Sequence, residues 1–283
     1  MRLVGDGLER RGSRLLLTYL RWIRAFPKLT NIDLMHLDGI YDRGDLAGAL
    51  KVLPRVSTID HPFITSELDD GLIDALANAK ALTSLDLSEG HCDWQSLRRL
   101  LSSFPKLQKL SLWALNDYHQ PQGSVIFSIS QWTEVFRGAP GITHLELGGY
   151  HTVTNDLISA MCSSLIHLEE LKLINVSDEF VTADCLQHFH KLSRIKILRF
   201  AEPTASFTQL ESLINACKTL KYLQIVLRDD ANDQNNWEQC FAALDSLMVG
   251  RSGEFFCPEY DEREFFHEWS EGVEIPGTAF SAG

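Results

Sequence analysis

The sequence predicts an α/β solenoid, a horseshoe with parallel strands on its concave face and helices on its convex face. Three observations carry this. FPKLTNIDL from Phe26, AKALTSLDL from Ala79, FPKLQKLSL from Phe104, APGITHLEL from Ala139, LIHLEELKL from Leu165 and CKTLKYLQI from Cys217 share one template of apolar positions. With the weaker copies LPRVSTIDH and LSRIKILRF, the second template position falls at Leu29, Val56, Leu82, Leu107, Ile142, Leu168, Ile195 and Leu220, in steps of 27, 26, 25, 35, 26, 27 and 25 residues. Between these segments the apolar spacing turns helical, as at Trp94, Leu97, Leu100, Leu101 and Phe104. Strand-helix units of equal length stack indefinitely only with parallel strands and right-handed returns.

A period of about 26 residues lies within the leucine-rich-repeat range. The segments FPKLTNIDL, FPKLQKLSL and CKTLKYLQI resemble the irregular repeats of the ribonuclease-inhibitor-like superfamily, especially those of F-box proteins, over roughly residues 26 to 228. The resemblance implies a leucine-rich-repeat solenoid and, as one function, substrate recognition in a ubiquitin-ligase adaptor with ligase subunits as partners. No F-box pattern is visible ahead of Phe26.

The chain divides into a helical N-terminal cap at 1–25, about eight repeats at 26–228, an acidic C-terminal cap at 229–272 and a frayed tail at 273–283. Leu16, Tyr19, Leu20, Ile23 and Phe26 form the apolar stripe of the first cap, and Phe265, Phe266 and Trp269 that of the second. Ser206 with Gln209, and Ser66 with Asp69, read as helix-capping pairs. The 35-residue step marks an insertion in NDYHQPQGSVIF, where Tyr118, His119 and Phe127 offer contact-capable side chains.

Composition narrows the function classes. With 45% hydrophobic and 23% charged residues the 283-residue chain is an ordinary soluble type. A net charge of −12 argues against nucleic acid as a partner. Charged Arg10, Arg11 and Arg14 ahead of the first apolar run give no signal peptide and no membrane span, and the six dispersed cysteines read as reduced thiols, so the expected location is intracellular, cytoplasmic or nuclear.

No catalytic constellation has the required form, and neither a cofactor nor a metal is implied. His188 and His190 read as two surface histidines at a helix end. A cysteine-dependent hydrolase built on Cys257 and His267 is the enzymatic alternative, but the acidic surroundings of Cys257 would raise its pKa. The chain therefore reads as a non-catalytic, monomeric scaffold for a protein or peptide ligand.

Strand side chains alternate, so the residue between the last two apolar slots of each repeat belongs to the concave face. This column holds Asp33, Asp60, Asp86, Ser111, Glu146, Lys172, Arg199 and Gln224. Its first half is acidic and its second turns basic. Aspartates on strands ~4.8 Å apart repel by roughly 0.8 kcal/mol per neighbouring pair even in water. Asp33, Asp60, Asp86 and Glu146 are therefore expected to receive basic groups of a ligand, and Lys172 and Arg199 an acidic part. Trp113, one column further along, is the expected hot spot.

Overall fold

In a computed structural model of the chain, the described residues are 31–33, 58–60, 70–87, 92–113, 127–148, 153–174, 183–201, 207–226, 234–249 and 254–256. Among them, nine strands form one sheet in chain order: β1 (Asn31–Asp33), β2 (Thr58–Asp60), β3 (Ser84–Asp86), β4 (Lys109–Trp113), β5 (His144–Gly148), β6 (Glu170–Ile174), β7 (Ile197–Ala201), β8 (Tyr222–Val226) and β9 (Glu254–Phe256). Every neighbouring pair is parallel. The returns contain α1 (Asp70–Leu76), α2 (Trp94–Ser102), α3 (Ile129–Arg137), α4 (Asn155–Ser164), a 3-10 helix (Ala183–Lys191), α5 (Phe207–Ala216) and α6 (Gln234–Val249).

Register follows the repeat template. Leu110 pairs with Leu145, Leu145 with Leu171 and Leu171 with Leu198, and all four side chains are buried. The residues flanking them in each strand lie on the opposite face and are partly exposed, as at Ser111, His144, Glu146, Glu170 and Lys172. Helices cover the leucine side with Leu100, Leu101, Val135, Phe136, Leu157, Ile158 and Met161, giving one continuous core between the two layers.

A repeated backbone device locks the entry to β4 through β8. The carbonyl of Thr83 accepts from Gln108 N and Lys109 N, that of Gln108 from Thr143 N and His144 N, that of Thr143 from Glu169 N and Glu170 N, that of Glu169 from Lys196 N and Ile197 N, and that of Lys196 from Lys221 N and Tyr222 N. Each such oxygen uses both lone pairs on consecutive amides of the next repeat.

Three departures from the sequence-based expectation have physical causes. Past Arg228, where the repeats were expected to give way to a cap, α6 and β9 continue the pattern; Glu254–Phe256 carries only the middle of the template, too short to be recognised. The return at Ala183–Lys191 is a 3-10 helix. Phe127, expected to serve an exposed insertion, is buried. Its ring lies 4.8 Å from that of Trp132, which stacks on Phe136 at 5.7 Å, so it closes the aromatic end of the α3 layer. Tyr118 and His119, the N-terminal cap, the Phe265, Phe266 and Trp269 stripe of the C-terminal one, Cys257 and His267, and the side chains of Ser66, Asp69, Ser206 and Gln209 lie outside the described residues.

The helix starts that are described use other residues. Asp93 caps α2, accepting from Ser96 N at 2.9 Å and Ser96 Oγ at 2.8 Å. Ser128 and Gln131 form a reciprocal capping box on α3, and Thr154 accepts from Leu157 N on α4. Partial burial pushes the Asp93 carboxyl up, but the bonds from Ser96 and nearby amides outweigh it and hold the group below its ordinary 3.8. Replacing Asp93 by Ala should cost about 1 kcal/mol near neutral pH. Because a depressed carboxylate pKa contributes stability above the unfolded value, that cost should shrink as pH falls below about 4, as urea unfolding of both proteins across that range would register.

Gly138 sits where α3 ends against the last turn of α2. A Cβ there would stand 2.6 Å from Ser102 Oγ, 3.0 Å from Val135 O and 3.1 Å from Arg98 O. Gly138→Ala is therefore expected to destabilise by about 1–3 kcal/mol. Adding Ser102→Ala should recover only part, since the carbonyls remain, and a double-mutant cycle in urea checks this.

Candidate functional site

The column anticipated from sequence is assembled by the sheet. Asp33 pairs with Asp60, and the Ile59 to Leu85 pairing brings Asp60 beside Asp86 in the same row. From there the row runs through Ser111, Glu146, Lys172, Arg199 and Gln224 to Phe256. A parallel row two residues earlier holds Asn31, Thr58, Ser84, Lys109, His144, Glu170, Ile197, Tyr222 and Glu254. Trp113 ends β4 in register with Gly148, while its side chain lies outside the described part of the structure.

In the second half of this face the charges answer one another. Lys172 Nζ lies 3.3 Å from Glu146 and Arg199 lies 3.8 Å from Glu170, with the His144 ring 3.7 Å from the same carboxylate. The Arg199 guanidinium also lies 5.7 Å from the centre of the Tyr222 ring, within cation–π range. Glu146, Lys172 and Arg199, expected to await a ligand's charges, thus already have partners on the sheet. Sequence reasoning missed the second row, and with it Glu170 and His144. The alternation of Glu146, Lys172 and Arg199 along one row was the available signal.

A hollow of about 220 Å³ opens on this face, bordered by Asp86, Lys109, Ser111, His144, Glu146 and Lys172 among others. Its border combines these polar side chains with Leu85, Leu110 and Leu145. Partial burial lowers the His144 pKa below 6.5, against the pull of Glu170 in the other direction. Thr143 Oγ1 stands 2.8 Å from its Nδ1. His144 is therefore mostly neutral at pH 7 and acts there as a hydrogen-bonding group.

His188 and His190 lie on the 3-10 helix, the first half-buried and the second exposed. His190 Nδ1 donates to Gln187 O, an interaction within its own turn. Among the described residues no group of three or more potential metal ligands occurs. Cys92 is a buried thiol pushed up to about 12 by burial and by Asp93, which leaves it chemically inert as a nucleophile. No helix among the described residues is long and apolar enough to cross a membrane.

Among solved structures, the chain is similar over 98% of its length to the leucine-rich-repeat-containing protein LegL7 from Legionella pneumophila, of which 99% is covered, with a TM-score of 0.55 and 14% identity. The fold is a leucine-rich-repeat solenoid. Partial likenesses reach the tropomodulin C-terminal domain of Caenorhabditis elegans (TM-score 0.37, 12% identity, 52% of this chain and 92% of that one). They also reach TLR13 in a complex with ssRNA13 (TM-score 0.41, 17% identity, 71% of this chain and 30% of that one). No family model matches the chain, and no curated protein does.

A lowered histidine pKa has a defined consequence for this solenoid. The unfolded imidazole takes its proton near 6.5 and the folded one only at lower pH, so the unfolded state binds more protons between the two values. Stability is full above about 6.5 and falls as pH drops from there. Burial and the neighbouring Lys191 and His190 shift His188 the same way. Urea unfolding at several pH values between about 7.5 and 5.5 should show this fall, and His144→Gln should make it shallower; an unchanged slope would remove His144 as its source.

Proposed function

We propose that this solenoid is a non-catalytic scaffold that binds another protein through its concave strand face. The observation that supports this reading most is the length of one continuous surface. Nine strands, eight gaps of ~4.8 Å, present rows of side chains about 38 Å long, enough for a standard protein interface. Toward β1 the row is Asp33, Asp60 and Asp86, flanked by the neutral Asn31, Thr58 and Ser84. Toward β8 the charges are matched within the sheet. A ligand with basic side chains at the β1–β3 end and a neutral, hydrogen-bonding surface further along complements this layout, with Trp113 as the aromatic anchor between the two halves.

The ligase-adaptor reading rests on the segments FPKLTNIDL, FPKLQKLSL and CKTLKYLQI. It requires association with a Skp1-type linker protein, which a direct binding assay with that protein tests.

The main test is affinity capture from lysate with mass spectrometry, run beside a variant carrying Asp60→Asn, Asp86→Asn and Trp113→Ala. A partner captured by the parent chain should be lost from the variant, and its purified form should bind the variant at least about tenfold more weakly. If the variant keeps every partner, the concave face is not the binding surface.

A further inference from the structure

A second surface lies away from the concave rows, at the edge where the turns enter β6, β7 and β8. A groove of about 350 Å³ runs across these turns and is bordered by Arg194, Lys196, Lys218 and Lys221, with Glu169 as its one carboxylate. All four cations are exposed. Lys196 is engaged with Glu169 at 2.7 Å across 27 residues of chain. Arg194 adds its charge to the field on Glu169, while Lys218 and Lys221 form no ion pair among the described residues.

That contrasts with the helix face. There Arg99 meets Asp70 at 2.6 Å and also Asp74, Arg98 reaches Glu134 at 3.5 Å, and Arg137 meets the same Glu134. In a chain of net charge −12, a net of three positive charges across three successive turns is a local reversal of sign.

The groove is also held rigidly. Thr219 Oγ1 lies 2.7 Å from Ile195 O and 3.2 Å from Ser193 O, clamping the β8 turn onto the β7 turn. Both Lys221 N and Tyr222 N bond Lys196 O, and the floor residue Leu220 is buried. Cations fixed to a stiff edge lose little backbone freedom on meeting a ligand, which favours binding.

We propose that this groove docks an extended acidic peptide segment of a partner protein, independently of the concave face. The cations stand on two adjacent turns, Arg194 and Lys196 ahead of β7 and Lys218 and Lys221 ahead of β8, with backbones ~4.8 Å apart. Carboxylates two residues apart on an extended peptide are separated by roughly 7 Å, which lets two of them address cations on different turns. A long nucleic-acid strand meets the same cations but also the negative charge of the rest of the chain, which disfavours it.

The test uses the full chain and a fluorescent peptide of five Glu-Ser repeats, with five Gln-Ser repeats as control, read by anisotropy. The Glu-Ser peptide should bind and the control should not, and raising salt from about 50 to 300 mM should weaken binding severalfold. Arg194→Gln with Lys218→Gln and Lys221→Gln should weaken it about tenfold, whereas the Asp60, Asp86 and Trp113 variant should bind the peptide as the parent does. Should the triple variant melt differently from the parent, the Lys218→Gln and Lys221→Gln pair alone should still weaken binding about threefold. Equal binding by the variants, or by the control peptide, overturns the proposal. So does tighter binding of a uridine decamer than of the peptide, which would make the edge a nucleic-acid site. Self-association in sedimentation that the triple variant abolishes would make its occupant a second copy of this chain, and would overturn the proposal equally.

Discussion

No repeat of this protein can bury its own leucines. A strand of three to five residues with one return leaves both flanks of its apolar face bare, and only the neighbouring repeats cover them. The whole architecture depends on that shared burial. Leu110, Leu145, Leu171 and Leu198 meet in register because any slip of one residue would exchange the leucine face for the polar one. The doubly bonded carbonyls at the strand entries fix the same register from the backbone side, so hydrophobic pattern and hydrogen bonding agree on one alignment.

That alignment turns the sequence of one column into a physical neighbourhood. Residues some 26 positions apart in the chain stand side by side, and their charges must then be reconciled. The sheet does this by pairing Glu146 with Lys172, and Glu170 with Arg199. On the helix face Arg99 performs a similar role between α1 and α2. Such partly exposed pairs add only about 0.2–1 kcal/mol each, so their larger effect is on which surfaces present net charge to the outside.

Period, strand positions and the in-register column were legible from the template, because leucine burial leaves a strict mark on a sequence. The alternation within each strand was enough to place Asp86, Glu146, Lys172 and Arg199 on one face. Less legible was whatever depends on packing rather than on pattern. Phe127 comes after a Pro- and Gly-containing stretch and looks like loop, yet Trp132 and Phe136 provide a wall that draws it inward. The caps at Asp93 and Thr154 lack a Glu or Gln three residues on and so carry a weaker signature; Ser128 with Gln131 has the full one but follows the Pro- and Gly-containing stretch and was passed over. The ion pairs were hidden for another reason: Glu170 belongs to a row that a search for one residue per repeat does not reach. The 3-10 return at Ala183–Lys191 has the length and composition of an α-helical one, and no residue in it announces the tighter winding.

The long step between the fourth and fifth strands bears on how such a chain can change. Leu107 and Ile142 are separated by about nine residues more than their counterparts elsewhere, yet β4 and β5 pair along their full length, from Lys109 with His144 to Trp113 with Gly148. The extra length is absorbed entirely outside the ladder. Growth of a return and the pattern of the strand face are thus separate variables. Sequence can be lengthened at this junction, or foreign sequence grafted into it, while the rows of side chains on the other surface keep their order.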